Sequence, residues 1–227
     1  MTDISQRKAD HINLALQGNH QAATSAGFDH IHFEHNCLPE LHTEDIDCST
    51  VFLNHHCSAP LIIGAMTGGC ERGETINRHL AEAAEQAQIP MALGSQRAAL
   101  QDGPAQDMRR WAPGAILLGN LGGTQLQQHG VELAQRAVDS VQANAMIIHL
   151  NPLQELVQPN GDRDWRGVLN AIEQCCASLS VPVIVKEVGA GIGPTAAQRL
   201  IDAGVKWIEI AGRGGTIDYM SYNTRVS

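Results

Sequence analysis

The feature that most constrains this chain is a rhythm of apolar runs. They begin near residues 60, 90, 115, 145, 182 and 206, as "PLIIGA", "PMALG", "AILLGN", "AMIIHL", "VPVIVKEV" and "KWIEIAG". Segments with helical character lie between them: "ETINRHLAEAAEQAQ", "PAQDMRRW", "GVELAQRAVDSVQA", "WRGVLNAIEQCCASL" and "PTAAQRLIDAG". A spacing of about 29 residues is the period of a strand–helix unit, so the sequence predicts parallel strands joined by crossover helices. Polar or glycine-rich stretches follow nearly every run, as "MTGG", "GSQR", "GNLGG", "HLNPLQE", "KEVGAG" and "AGRGGT". A doubly wound sheet gathers its ligand at one switch point, whereas a (β/α)8 barrel draws on all its strand ends. The pattern therefore favours an α/β chain of the (β/α)8 TIM-barrel type, with about six of the eight units. Residues 1–58, with a leading helix in "QRKADHINLAL" and an irregular stretch over 28–58, are expected to pack on an incomplete barrel formed by 59–227. Such a sheet has edges at "PLIIGA" and "KWIEIA", and self-association through them is expected.

Charge narrows the partners. The formal net charge is −9 and the sequence pI about 5.6, which argues against nucleic acid and anionic membrane surfaces, since both require a basic footprint. No apolar run approaches the ~18 residues of a membrane span, and "MTDISQRKADH" is too polar for a secretory leader, so the expected location is the cytoplasm. The six cysteines form no CxxC pair, and reduced thiols are expected; Cys175 and Cys176 fall in a helix as packing residues. His30, His32 and Glu34, with His35 nearby, have a spacing that could hold zinc on one face of a strand. No second ligand cluster accompanies them, and a metal role is not assigned.

The densest polar chemistry is "HLNPLQELVQPNGDRDW", residues 149–165, at the carboxyl end of an apolar strand. A Glu on that face suits Mg2+, which takes hard oxygen ligands, usually one or two carboxylates plus substrate phosphates. Glu155 is the candidate. Gln154 beside it can donate or accept a hydrogen bond but cannot ionise. The competing reading is a solvated turn begun by Asn151 and Pro152. Arg7, Lys8 and Arg97 could clamp an anion, or belong to ordinary surface. Lys186 interrupts the apolar "VIVKEV" and needs a negative partner. Glu209 is a better candidate than Glu187, because neighbours on a strand face opposite sides.

Seven stretches, "RKADHI", "PLIIGAMTGG", "LGSQRAAL", "GNLG", "HLNPLQELVQPNGDRDWRGVL", "VPVIVKEVGAGI" and "IEIAGRGGT", resemble the FMN-dependent type 2 isopentenyl-diphosphate isomerases in order and approximate spacing, from residue 7 to about Thr216. The resemblance implies interconversion of isopentenyl and dimethylallyl diphosphate in isoprenoid biosynthesis by a 1,3-hydrogen transfer. It implies reduced FMN as an acid/base aid, NADPH to reduce it, Mg2+, and a homo-octamer or tetramer. By the same resemblance Ala65, Met66, Thr67, Ser95, Asn120, Lys186 and Thr216 hold the flavin. Arg7, Lys8, His11, Ser95, Gln96, Arg97, His149, Asn151 and Gln154 hold the substrate, with Gln154 at the reacting carbons, and Glu155 holds the metal. An anionic reduced flavin would also serve as the partner of Lys186. Such barrels bind the FMN phosphate after strands seven and eight, so weak flavin retention is expected. The alternatives are an FMN-dependent oxidoreductase of small hydroxy acids and an inactive fragment.

Overall fold

The crossover rhythm is realised as a parallel sheet. The protein is seen in a computed structural model that describes residues 12, 13, 16, 27–66, 71–101, 107–158 and 160–211. Its strands are β1 (Thr50–Phe52), β2 (His55–Cys57), β3 (Met91–Ala92), β4 (Leu117–Gly122), β5 (Ala145–Leu150), β6 (Val183–Glu187) and β7 (Trp207–Glu209). The α-helices are α1 (Glu71–Ala87), α2 (Arg97–Gln101), α3 (Met108–Trp111), α4 (Gly123–Val141), α5 (Pro152–Val157), α6 (Val168–Ser178) and α7 (Pro194–Asp202). Strands β3 to β7 pair in sequence order and all in parallel.

This corrects the expected barrel of six units. Among the described residues five parallel strands form the sheet, and the run at 60–65 is not one of them. Only Ile63 reaches it, donating to the Pro90 carbonyl and accepting from the Ala92 amide. Leu61 and Ile62, in a run expected to form an edge strand, are exposed. Pro90 lacks an N–H, so it cannot donate back to the 60–65 run and extend the ladder on the amino-terminal side of Ile63. The stretch at 28–58 is also not wholly irregular: Phe28–His30 and Thr43–Asp45 are single 3-10 turns, and β1 and β2 form an antiparallel hairpin. Its loop, Leu53–Asn54, has φ of 51° and 62°, the left-handed pair that matches the twist of a two-residue hairpin. Of the leading helix, residues 12, 13 and 16 are helical and the remainder falls outside the described residues.

Alternation along each strand gives the sheet two unlike faces. Leu117, Leu121, Met146, Ile148, Val183 and Val185 belong to the main core, with Ala134, Ala137, Ile172, Cys175 and Leu200 from the helices. On the other face Ala92, Ile116, Leu118, Ala145, Ile147 and Ile184 form a smaller cluster closed by Cys57, with Phe52, Leu53 and Ala65 packed against it. Phe52 meets Trp207 edge-on, with ring centroids 5.4 Å apart. The hairpin thus covers the amino-terminal half of that second face. Toward the carboxyl ends the same face turns polar, with Asn120, His149, Lys186 and Glu209 in place of the aliphatics.

Candidate functional site

Parallel register carries the polar positions to one level. Gly122 pairs with His149, His149 with Lys186, and Lys186 with Glu209. In a parallel sheet this level is where strand ends and following loops converge, which makes it the binding face. Asn120 is 4% exposed; its Nδ2 donates to the Leu93 carbonyl at 2.8 Å, and its Oδ1 lies 2.9 Å from His149 Nδ1. With the amide nitrogen committed to Leu93, Oδ1 can only accept, so the hydrogen in that contact belongs to His149 Nδ1. Lys186 is 7% exposed and donates to the Glu187 carbonyl oxygen at 2.8 Å. Glu187 faces the opposite way, as alternation requires, and one of its oxygens accepts from the amides of Gly189, Ala190 and Gly191. That carboxylate ties down the loop after β6 and is unavailable to Lys186.

After β5 the chain enters α5 at once, with Asn151 ahead of Pro152 at the first helical position. Proline is favoured there because its missing N–H would have had no helical partner. One turn then brings Gln154 and Glu155 back over the strand end, where both are buried. The Asn151 amide donates to Gln154 Oε1 at 2.7 Å and to Glu155 Oε1 at 2.9 Å. Glu155 Oε2 accepts from the Asp162 backbone amide at 2.8 Å. The side chain of Asp162 turns inward as well: its Oδ2 accepts from Gln125 Nε2 (2.8 Å), Arg97 Nη1 (3.2 Å) and Thr124 Oγ1 (3.3 Å). The next acid behaves oppositely. Asp164 faces solvent in a two-pronged contact with Arg166, whose guanidinium holds its carboxyl down to about 2.

Several anticipated residues therefore meet in one network. Arg97 and Glu155 are joined through Asp162, and Asn151 and Gln154 adjoin Glu155. Asn120 and His149 form a second contact on the adjacent strands, level with Lys186. Ser95 is half-buried between β3 and α2. Gln96 is 1% exposed, and its amide is spent on Ala137 and Ser140 of α4 and on the Asn120 backbone amide. Ala65 packs in the second apolar cluster, and Met66 is exposed. Arg7, Lys8, His11, Thr67 and Thr216 lie outside the described residues. His30, His32, Glu34 and His35 are exposed, and among the described residues no group of three His, Cys, Asp or Glu could hold a metal.

Sequence reasoning missed Asp162, Thr124 and Gln125. The helix after β4 is anticipated only from Gly130, yet α4 begins at Gly123 and breaks at Gly130, where φ is 71°. Its first stretch is what carries Thr124 and Gln125 to the strand end. The signal was the glycine pair itself. A Cβ on Gly122 would meet Gln125 and His149, and one on Gly123 would meet Val168 and Leu150, so the turn needs residues without side chains.

Comparison with known proteins bears on this geometry. The chain is 52% identical over 219 residues to an isopentenyl-diphosphate delta-isomerase of Stutzerimonas stutzeri, covering 94% of this chain and 63% of that protein. The same figures hold for the isomerase of Pseudescherichia vulneris. For that of Vibrio parahaemolyticus the identity is 46% over 222 residues, covering 95% and 66%. The chain thus spans a little under two thirds of the length of these curated relatives. No family model matches the sequence. Among solved structures, a soluble mutant of the membrane-associated (S)-mandelate dehydrogenase from Pseudomonas putida superposes with a TM-score of 0.62 at 14% identity, over 92% of this chain and 70% of that one. A mandelate oxidase mutant with an FMN adduct gives 0.53 at 15%, over 80% and 57%. These likenesses concern the fold. The relatives' names carry the isomerase activity with neither a type nor a flavin or nicotinamide. The narrower assignment drawn from the motifs, an FMN- and NADP-dependent type 2 flavoprotein, is accordingly corrected to similarity with isopentenyl-diphosphate delta-isomerases as such.

Proposed function

We propose that this chain carries the site of an isopentenyl-diphosphate delta-isomerase at the carboxyl ends of β4, β5 and β6, where isopentenyl and dimethylallyl diphosphate interconvert. The observation that carries the reading is the link from Arg97 through Asp162 to Glu155, in a chain half identical to proteins of that name. A diphosphate needs cationic donors and, where Mg2+ is used, a hard anionic ligand beside them. Arg97 and Glu155 supply one of each.

Isomerisation adds a proton to the terminal carbon of the double bond and removes one from the carbon on its other side. The residues at hand can bind, orient and exclude water. Arg97 offers its guanidinium to the diphosphate. Gln154, which cannot titrate, positions the hydrocarbon part. The apolar cluster below Asn120 and His149 keeps that end of the site dry, so water cannot capture a developing cation.

The cofactors belong to the same proposal. Glu155 fits Mg2+ in kind, as a buried carboxylate already oriented by Asn151; with no second acid in the network besides Asp162, the remaining ligands would come from phosphate oxygens and water. The buried ammonium of Lys186 fits a ring that carries negative charge, and Lys186 with Asn120 would hold FMN. Such a ring, when bound and reduced with NADPH, supplies electron density against a cationic carbon. The hydroxy-acid oxidoreductase reading rests on fold likeness at 14–15% identity and is set aside, because fold does not assign chemistry. Assembly into a homo-oligomer also stands as a proposal.

The test is incubation of the purified chain with isopentenyl diphosphate, Mg2+, FMN and NADPH in D2O, followed by proton NMR. Dimethylallyl diphosphate with deuterium in a methyl group is the expected product. No product from a folded sample with all components present would refute the reading.

A further inference from the structure

We infer that Asp162 is a positioning residue that couples the anion clamp to the metal ligand, an inference that rests on the proposed diphosphate site. Two groups of one residue act in two directions. The side-chain oxygen Oδ2 takes Arg97 Nη1 at 3.2 Å, together with Gln125 Nε2 at 2.8 Å and Thr124 Oγ1 at 3.3 Å. The backbone amide of the same residue donates to Glu155 Oε2 at 2.8 Å. Rotation or translation of residue 162 therefore moves the guanidinium and the carboxylate together.

The anchoring is two-sided. Thr124 and Gln125 sit on the first turn of α4, directly after β4, so Oδ2 is pinned to the sheet rather than to its own loop. Trp165 fixes the other side, its indole N–H lying 3.3 Å from the Asp162 carbonyl oxygen. Gly161 makes the approach possible, because a Cβ there would run into the Glu155 backbone.

The state of Arg97 is an independent sign that a ligand completes the arrangement. Asp162 engages Nη1, and the Nε of the same guanidinium is buried with no hydrogen-bond partner among the described residues. A buried N–H donor is ordinarily satisfied. Because Nη1 lies on the opposite edge from Nε, Asp162 orients the head group without using the Nε edge, which is the one suited to a two-pronged contact with phosphate oxygens.

The probe is inorganic pyrophosphate with Mg2+, titrated calorimetrically into the full chain and its variants, alongside turnover of isopentenyl diphosphate. Asp162→Asn keeps the shape and the backbone amide but removes the charge that aligns Arg97. It should weaken Mg-pyrophosphate binding by about tenfold, the scale of one charge-assisted contact. Arg97→Gln should do the same, and the double variant should lose no more than Arg97→Gln alone, because the two changes remove one device. A purely structural role would instead lower the melting temperature while leaving the two losses additive. If Asp162→Asn does not fold, Asp162→Glu is read in its place: it keeps the charge but shifts the carboxylate, and about threefold weaker binding is expected. Wild-type affinity in Asp162→Asn, or in Asp162→Glu when that is the variant read, overturns the inference while leaving the isomerase reading intact. Binding by the wild type without turnover overturns that reading and leaves the role of Asp162 standing. No binding of Mg-pyrophosphate by the wild type overturns both.

Discussion

Replacing Asn120 by Ala should be among the most destabilising single changes on the polar half of the sheet. Asn120 is 4% exposed and makes two side-chain hydrogen bonds, one to the Leu93 carbonyl and one with His149. The two losses are unequal. His149 is half-buried, so water can replace the lost acceptor at a cost of about 0.5–1 kcal/mol. Leu93 is fully buried, so its carbonyl loses a donor that water cannot restore, and such a group costs roughly 1–3 kcal/mol. With the missing side-chain volume the total is about 2–4 kcal/mol. Urea denaturation followed by circular dichroism measures it, with an unchanged slope required for the comparison to hold. Asn120→Asp separates the halves, since it keeps an acceptor for His149 but turns a carboxylate oxygen toward the Leu93 carbonyl; it should be at least as damaging as Ala. Stability within ~0.5 kcal/mol of wild type for Asn120→Ala would refute the claim that this amide is committed to Leu93 and sets the His149 tautomer.

Gly161→Ala should destabilise the loop over Glu155 by about 1–3 kcal/mol, because the added carbon meets backbone that no rotamer change can clear; thermal melts with and without Mg-pyrophosphate would show it. Arg109 donates to the carbonyls of Ala112, Ala115 and Gln142 and to Asn144 Oδ1, so Arg109→Ala should cost at least ~2 kcal/mol in urea denaturation. Burial pushes the Cys175 thiol up to about 12. An acid raised in the folded state favours folding below its ordinary value and loses that contribution as pH climbs. Stability should therefore fall between about pH 9 and pH 12, and less steeply in Cys175→Ala. In native protein Cys37 and Cys48, which are exposed, should react with a thiol reagent at neutral pH while Cys175 stays silent until denaturant is added.

The parallel order of the sheet was legible because βα spacing and apolar runs are local properties of sequence, and "AILLGN", "AMIIHL" and "VPVIVKEV" all became paired strands. "PLIIGA" misled because apolar content reports a tendency to be buried and not whether partners with donors stand alongside; the proline at 90 carried part of that information. The hairpin at 50–57 was hidden because each of its strands has only three residues and its turn uses Leu53 and Asn54, without the glycine that ordinarily marks such a loop. In the network at the strand ends, Arg97, Gln154 and Glu155 were readable as charged or polar residues following apolar runs. Asp162 was not, because its contacts are with Arg97 and Gln125, 65 and 37 positions away. Lys186 illustrates the middle ground: alternation disfavoured the Glu187 side chain, and the structure adds that this carboxylate is occupied by three amides.

The most direct measurement of the central claim is the Mg2+ dependence of isopentenyl diphosphate turnover in wild type and in Glu155→Gln. The substitution keeps size and one accepting oxygen, so it retains only one of the two donors, Asn151 or the Asp162 amide, and it removes the charge that a hard cation requires. In samples shown to be folded, kcat/KM is expected to fall by at least about tenfold, or ~1.4 kcal/mol. Equal turnover of the two proteins at limiting Mg2+ would contradict it.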